Sequence, residues 1–243
     1  MKRVFPLAIL ALTGASCVSA PRAPHRAELI RGILTSTVQV RSEREGGARR
    51  AASGVVVATD PGSRRTWIAT ARHFVDPSLP QDIYVRLPGR TGVVPATVAF
   101  VSPDHDLAFI ETAQLDVEPV RLKMAASLGD EVLLVAFPWG QRFTLVRGIV
   151  SQIAGPAGEL LVAGPARMVD ASVSYGSSGG GVFDAQTGEL IGIVEGYRTA
   201  KVAIPEMKER VLEVPVAGET TLIPAHAIFR FLVDSGLSVF MAR

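Results

Sequence analysis

From about residue 27 onward the chain alternates short runs rich in β-branched residues with turns built on Gly and Pro. Branched side chains pack well on a pleated surface, and the turn residues mark where the chain reverses. The pattern predicts strands at 34–40, 53–59, 66–70, 82–87, 92–101, 107–111, 131–136, 144–153, 159–162, 167–172, 181–184 and 190–194. Many short strands separated by turn signals imply a sandwich or a barrel rather than βαβ units. Residues 21–26, with two prolines and no periodicity, read as a tether, and 119–124 as the link between two halves. One helix stands out near the end: Pro224 suits a first turn, Ala227, Ile228, Phe231 and Leu232 follow at helical spacing, and Gly236 stops it. The stretch 205–212 fits a helical turn or a strand equally well.

At 243 residues the chain has room for one large β domain or two smaller ones with a sizeable core. Its 25 Lys+Arg against 23 Asp+Glu leave a net charge of +2, and the arginines are scattered rather than laid along one face, which argues against nucleic acid as a partner. The run 41–50 (RSEREGGARR) mixes signs around two glycines and reads as a solvated hairpin or loop rather than a phosphate-binding arm.

The N-terminus has a different character. Lys2 and Arg3 precede a short apolar stretch at 4–12, too short for a stable anchor across a bilayer, and small residues follow. Residues 1–20 therefore read as a signal peptide, which predicts export to a bacterial cell envelope or secretion. The single cysteine lies in Gly14-Ala15-Ser16-Cys17, which resembles the lipobox of bacterial lipoproteins, although Gly14 stands where Leu is usual. That resemblance implies cleavage before Cys17, acylation of Cys17 and anchorage to a membrane. Cleavage after Val18-Ser19-Ala20 is the alternative. One thiol cannot form a disulfide within the chain.

The candidate chemistry is concentrated in Ser174-Tyr175-Gly176-Ser177-Ser178-Gly179-Gly180-Gly181-Val182. Gly176 tolerates backbone conformations that a side chain forbids, so the amides of Gly176 and Ser178 can converge on one oxyanion. A serine nucleophile needs a base, and the base needs a carboxylate to hold its tautomer. Of the four histidines, His25 lies in the tether, His226 begins the terminal helix, and His105 sits in a turn. His73 ends an apolar strand, at the rim of a barrel, and Asp106 opens another strand that can lie beside it. Residues 176–180 also satisfy G-x-S-x-G, the nucleophile elbow of α/β-hydrolases. That fold needs a helix directly after the serine and the order Ser, Asp, His. Three glycines in succession do not start a stable helix, and only His226 lies downstream.

The order His73, Asp106, Ser178 and the text around each residue resemble the trypsin-like serine proteases, nearest the bacterial Deg/HtrA type. The motifs run from about Ser53 to Gly236: Ser53-Gly54 before an apolar strand, Thr70-Ala71-Arg72-His73, Asp106-Leu107-Ala108, Pro138-Trp139-Gly140, Gly148-Ile149-Val150-Ser151, Asp170-Ala171 ahead of the serine, and Ile223-Pro224-Ala225. Two positions depart: Ser177 stands where Asn or Asp is usual, and Gly181 where Pro or Ala is usual. The resemblance implies an all-β fold of two six-stranded antiparallel β-barrels with a C-terminal α-helix, the first barrel at 27–118 and the second with the helix at 119–243. It implies a serine endopeptidase acting on proteins or peptides without a cofactor or metal, with His73, Asp106 and Ser178 catalytic and Gly176 and Ser178 forming the oxyanion hole. It places Ser172 at the base of the primary specificity pocket and sets Glu195, Gly196 and Tyr197 against the substrate backbone. A serine at that base offers no carboxylate for Arg or Lys, so small or medium apolar side chains are expected. The rival reading is a non-catalytic envelope-binding protein on the same scaffold.

Overall fold

A computed structural model describes residues 26–44, 46–75, 81–203 and 211–242. The predicted signal peptide, Cys17, the tether up to His25, and most of the 205–212 stretch lie outside the described residues. Helix α1 (Arg26–Ser36) leads into β1 (Thr37–Arg44), β2 (Arg49–Asp60), β3 (Arg65–Ala71), the single turn α2 (Arg72–Val75), β4 (Gln81–Arg86), β5 (Val94–Val101) and β6 (Leu107–Ala113). These six strands close into an antiparallel barrel in the order β1-β2-β3-β6-β5-β4. The chain continues through β7 (Ala126–Ser127), β8 (Glu131–Ala136), β9 (Thr144–Ile153), β10 (Ala163–Gly164), β11 (Ala166–Asp170), β12 (Gly181–Asp184), β13 (Leu190–Ala203), β14 (Val211–Pro224) and helix α3 (Ala225–Asp234). A second barrel closes as β11-β14-β13-β12-β8-β9, while β7 and β10 pair as a separate ribbon. This is the chymotrypsin-like fold that the motifs implied.

Strand alternation explains how the barrels dock. Along β2 and β3, Val56 and Ile68 point into the first barrel, while Val55, Val57, Trp67 and Ala69 point out of it. Along β8 and β12, Val132, Leu134 and Val182 fill the second barrel, while Leu133, Val135 and Phe183 point out. The outward residues of both barrels form one shared core with Ile228 and Leu232 of α3. These strands are buried on both faces, which is why they appear in sequence as unbroken apolar runs rather than as alternation.

Two expectations are corrected. The strand foreseen at 34–40 begins only at Thr37, because 26–36 is helical, with Leu29, Ile33 and Ser36 on its buried side. The hydroxyls of Thr35 and Ser36 donate back to the carbonyls of Gly32 and Ile33 at 2.8 and 3.1 Å, and Thr37 donates to Ile33 at 2.8 Å. Residues that favour strands thus satisfy the open carbonyls at a helix end. The strand foreseen at 159–162 is absent: Leu160 is 91 % exposed, and pairing starts at Ala163. Beyond Val194, β13 continues into a long hairpin with β14, so the valines around 211–216 lie in a strand.

The link between barrels is tied down on both sides. Val120 N–H donates to Val56 C=O at 3.0 Å, and Lys123 N–H donates to Leu190 C=O at 2.9 Å. Lys123 Nζ reaches Asp184 Oδ2 at 2.5 Å and Asp130 Oδ2 at 3.6 Å, while Asp184 Oδ1 accepts the N–H groups of Gln186 and Thr187 at 2.7 and 2.8 Å. Burial pushes the Asp184 carboxyl up, but Lys123 and the two amides outweigh burial and hold it below its ordinary value. The bond to Asp184 raises the Lys123 ammonium in turn.

Candidate active site

His73 and Asp106 meet because β3 and β6 are neighbours whose last rung pairs Ala71 with Leu107. The ladder extends one step further, with Arg72 N–H donating to Asp106 C=O at 3.0 Å. The chain then turns into α2, and Asp106 Oδ1 accepts the His73 backbone N–H at 2.8 Å. Its other oxygen, Oδ2, lies 2.5 Å from His73 Nδ1. One carboxylate therefore fixes both the backbone and the ring of the same residue. With the proton on Nδ1 shared with Asp106, Nε2 carries the lone pair that can accept a proton.

Ser178 lies on a loop shaped from outside its own barrel. Ser53 of β2, a fully buried residue, receives Phe137 N–H at 2.8 Å on its hydroxyl and donates that hydroxyl to Gly176 C=O at 2.9 Å. Its backbone N–H donates to Ser178 C=O at 2.9 Å, and its own carbonyl accepts the Thr70 hydroxyl at 2.8 Å. This close approach excludes a side chain at Gly179, where a Cβ would lie 2.2 Å from Ser53 O and φ is +79°. Gly176 has φ +91°, and a Cβ there would come within 2.8 Å of Trp139 N and 2.9 Å of Phe137 O.

The orientation of the Gly176 amide follows from one further bond. Trp139 N–H donates to Tyr175 C=O at 2.7 Å. The C=O and N–H of a trans peptide point opposite ways, so the Gly176 N–H faces away from Trp139. Neither Gly176 N–H nor Ser178 N–H has an acceptor among the described residues. Two such donors beside a serine can stabilise an oxyanion. Trp139 itself holds a left-handed backbone (φ +56°), strained for a residue with a side chain.

His73, Gly176, Ser178, Glu195, Gly196 and Tyr197 line one cavity of about 320 Å³. Among the described residues no hydrogen bond joins Ser178 to His73; such contacts often tighten only when substrate binds. Gly196 and Tyr197 pair with β14 on one edge only, with Glu195 at a bulge between the paired Val194 and Gly196. Pairing of β13 with β12 ends at Ile193, and the last bonds on that side are Gly179 N–H to Val194 C=O and Val194 N–H to Gly180 C=O. Ser172 is exposed and outside the cavity, whose wall is supplied there by Val173 and Ser174. His105 and His226 also lie outside it. Burial, together with the nearby His105 and Arg230, lowers the pKa of His226. Among the described residues no cluster of His, Cys, Asp or Glu could hold a metal ion.

The two departures from the serine motif are locally compensated. Ser177 closes the turn by donating its N–H to Ser174 C=O at 3.0 Å and accepting Ser174 N–H on its hydroxyl at 3.3 Å. At Gly181 the buried Phe183 ring occupies the side-chain position, 2.4 Å from where a Cβ would stand. Sequence reasoning passed over what Ser53 and Trp139 do in this loop. A polar residue inside the apolar run 52–58 was the available signal for Ser53, whereas nothing local marks the backbone of Trp139.

A family model for the trypsin-like peptidase domain matches residues 52–193, more than half of the chain. Among solved structures, the serine endoprotease from Yersinia pestis superposes with a TM-score of 0.64 at 20% identity, covering 89% of this chain and 68% of that one. The Rv3671c protease from M. tuberculosis in its active form gives 0.64 at 21% identity, covering 95% of both chains. Its inactive form gives 0.61 at 21%, covering 86% of this chain and 93% of that one. At such identities the structural likeness establishes the fold. The family match establishes more: this chain belongs to the trypsin-like peptidase domain family. By that membership it is a serine endopeptidase, a hydrolase of peptide bonds.

Proposed function

We propose that the protein cleaves peptide bonds through an acyl-enzyme formed on Ser178. His73 takes the Ser178 proton through Nε2 as the hydroxyl attacks the substrate carbonyl, then returns it to the leaving amine. Asp106 orients the ring and stabilises its cation, while the Gly176 and Ser178 amides bind the tetrahedral oxyanion. Water then attacks the acyl-enzyme with His73 again as base. The observation that carries this reading is the pairing of Asp106 at 2.5 Å with His73, which lines one cavity together with Ser178 and two backbone amides that have no acceptor among the described residues. The one-sided edge at Glu195, Gly196 and Tyr197 suits an extended substrate added as a strand. Small or medium apolar side chains before the scissile bond suit the wall of Val173 and Ser174, Glu195 being the one acid among the described lining residues of that cavity.

The N-terminal signal and Cys17 support action at the bacterial envelope, with lipid anchorage and a role in protein processing or quality control. Treatment with a fluorophosphonate probe is the direct test: the wild-type chain is expected to be labelled and Ser178→Ala is not. Failure to label the wild type under conditions where it digests casein would overturn the nucleophile assignment. Metabolic labelling with a palmitate analogue, lost in Cys17→Ala, tests the anchor.

A further inference from the structure

A second cavity, of about 680 Å³, adjoins the one that holds Ser178 and shares Arg50, Ala51 and Tyr175 with it. None of the residues 194–197 lines it. For a peptide held along the Gly196–Tyr197 edge and crossing Ser178, this second cavity is the adjoining space not lined by that edge. Its walls come from the β1–β2 hairpin, from Tyr84 of β4 and from the turn at Trp139 and Gly140.

The hairpin that reads in sequence as a solvated loop supplies a concentration of positive charge. Arg41, Arg49 and Arg50 line the cavity, and Glu43 is the one acid among its described lining residues. Arg49 occupies Glu43 at 3.2 Å. Arg41 donates Nε–H to the Gln39 side chain at 2.7 Å, and Arg50 lies over the Phe74 ring at 5.3 Å; among the described residues neither has a carboxylate partner. Partial burial, and then the neighbouring Arg86 and Arg49, make the charge on Arg41 less comfortable than in water. A bound anion would offset the repulsion from Arg86 and Arg49 and supply the opposite charge that Arg41 lacks among the described residues. At one edge, the Trp139 and Tyr175 rings meet in a tilted pair, centroids 5.4 Å apart, while remaining 67 % and 47 % exposed, forming an apolar wall.

We propose that this cavity receives the leaving-group side of the substrate and selects a carboxylate, that of an Asp or Glu within the first three residues after the scissile bond. The proposal rests on the reading of Ser178 as the nucleophile. Arg41 and Arg50 are the selecting groups, and the Trp139–Tyr175 pair covers the stem of the bound segment. The net positive cavity also repels Lys and Arg at the same positions, so selectivity comes from both signs.

The test uses the full chain and quenched fluorescent peptides that are identical up to the scissile bond and carry Glu, Gln or Lys at the second and third positions after it. All three are amidated at the C-terminus, and a fourth, the Gln peptide with a free C-terminus, supplies a terminal carboxylate instead. The expected order of kcat/KM is Glu, Gln, Lys, with about tenfold between the extremes at low salt and less in 0.5 M NaCl. In Arg41→Glu and Arg50→Glu the Glu-to-Lys ratio within each enzyme should fall to one or invert, a readout in which any general loss of activity cancels. Equal rates for Glu and Lys, a ratio unchanged in the variants, or a gain confined to the free C-terminus would overturn the proposal.

A binding arm separates this outcome from failure of the nucleophile assignment. Trp139 is one of two tryptophans, and the other, Trp67, is buried in the core. In Ser178→Ala, titration with the Glu peptide should change Trp139 fluorescence at a concentration several-fold lower than the Lys peptide needs. Discrimination here without turnover in the wild type would overturn the nucleophile and leave the cavity standing; binding without discrimination overturns the cavity assignment.

Discussion

The two barrels hold their polar groups by different means. In the first, Asp106 lies one residue and His73 two residues past the end of a continuous ladder between neighbouring strands, and a single carboxylate binds both the amide and the ring of His73. In the second, Ser178 lies on a glycine-rich loop whose carbonyls are bonded by Ser53 of the first barrel and, within its own barrel, by Trp139. The proposed base and acid are thus a local product of one sheet, whereas the loop of the proposed nucleophile is held both by its own barrel and by Ser53 across the docked interface. A geometry assembled across an interface can be loosened without unfolding either half.

The contrast is broken most severely at the serine itself. Ser178→Ala should lower turnover on the order of a million-fold in a peptide-hydrolysis assay, with the fold unchanged by circular dichroism. A rate near wild type would remove the loop from the chemistry altogether. Gly176→Ala comes next: its Cβ would collide with the backbone at Trp139 and Phe137, turning the amide away from the oxyanion. The expected loss is about 10²–10³ in kcat.

Ser53→Ala tests the docking, because it leaves the Phe137 N–H and the Gly176 C=O buried without their partner. Stability should fall by about 1–3 kcal/mol in a denaturant melt. If the loop depends on the first barrel, kcat should fall while the Nδ1 proton signal of His73 in NMR stays in place. Unchanged kcat would mean that the loop supports itself.

The smallest effect concerns the link. The folded-state pKa of Asp184 lies below its unfolded value, so its stabilisation is present above the ordinary carboxylate range and is lost as pH falls through the folded value. Lys123 is raised, so its contribution is complete below the ordinary lysine value and is lost as pH rises through the folded one. Between those limits the pair adds a constant amount. Asp184→Asn should cost about 2 kcal/mol at neutral pH, since Lys123 is partly exposed and keeps Asp130, and should flatten the acid limb of a thermal-melt series. Hydrogen exchange should show β8 and β12 loosening in acid before β3 and β6. A uniform response would mean that the two barrels unfold as one unit.

Much of this was legible along the chain because it depends on near neighbours. The strands at 131–136, 144–153 and 181–184 have the bounds that the sequence pattern predicts. Helix α3 follows Pro224 and ends before Gly236, as its punctuation predicts. Asp106 directly precedes β6, whose ladder with β3 begins at the next residue. Local signals misled at 34–36, where hydroxyls that suit a strand cap a helix instead, and at 159–162, where the apolar residues 160–162 do not form a strand.

The order of the three candidate reactive residues, the glycines around Ser178 and the runs that become interface strands are properties of the sequence alone, since each acts over a few residues of backbone or through its side-chain pattern. The reach of Ser53 across 123 positions to Gly176, the tether of Tyr175 to Trp139 and the meeting of Arg41 and Arg50 with two aromatics were decided only by the tertiary structure. The physical reason is that barrel closure and docking bring together groups whose separation along the chain carries no periodic or compositional trace.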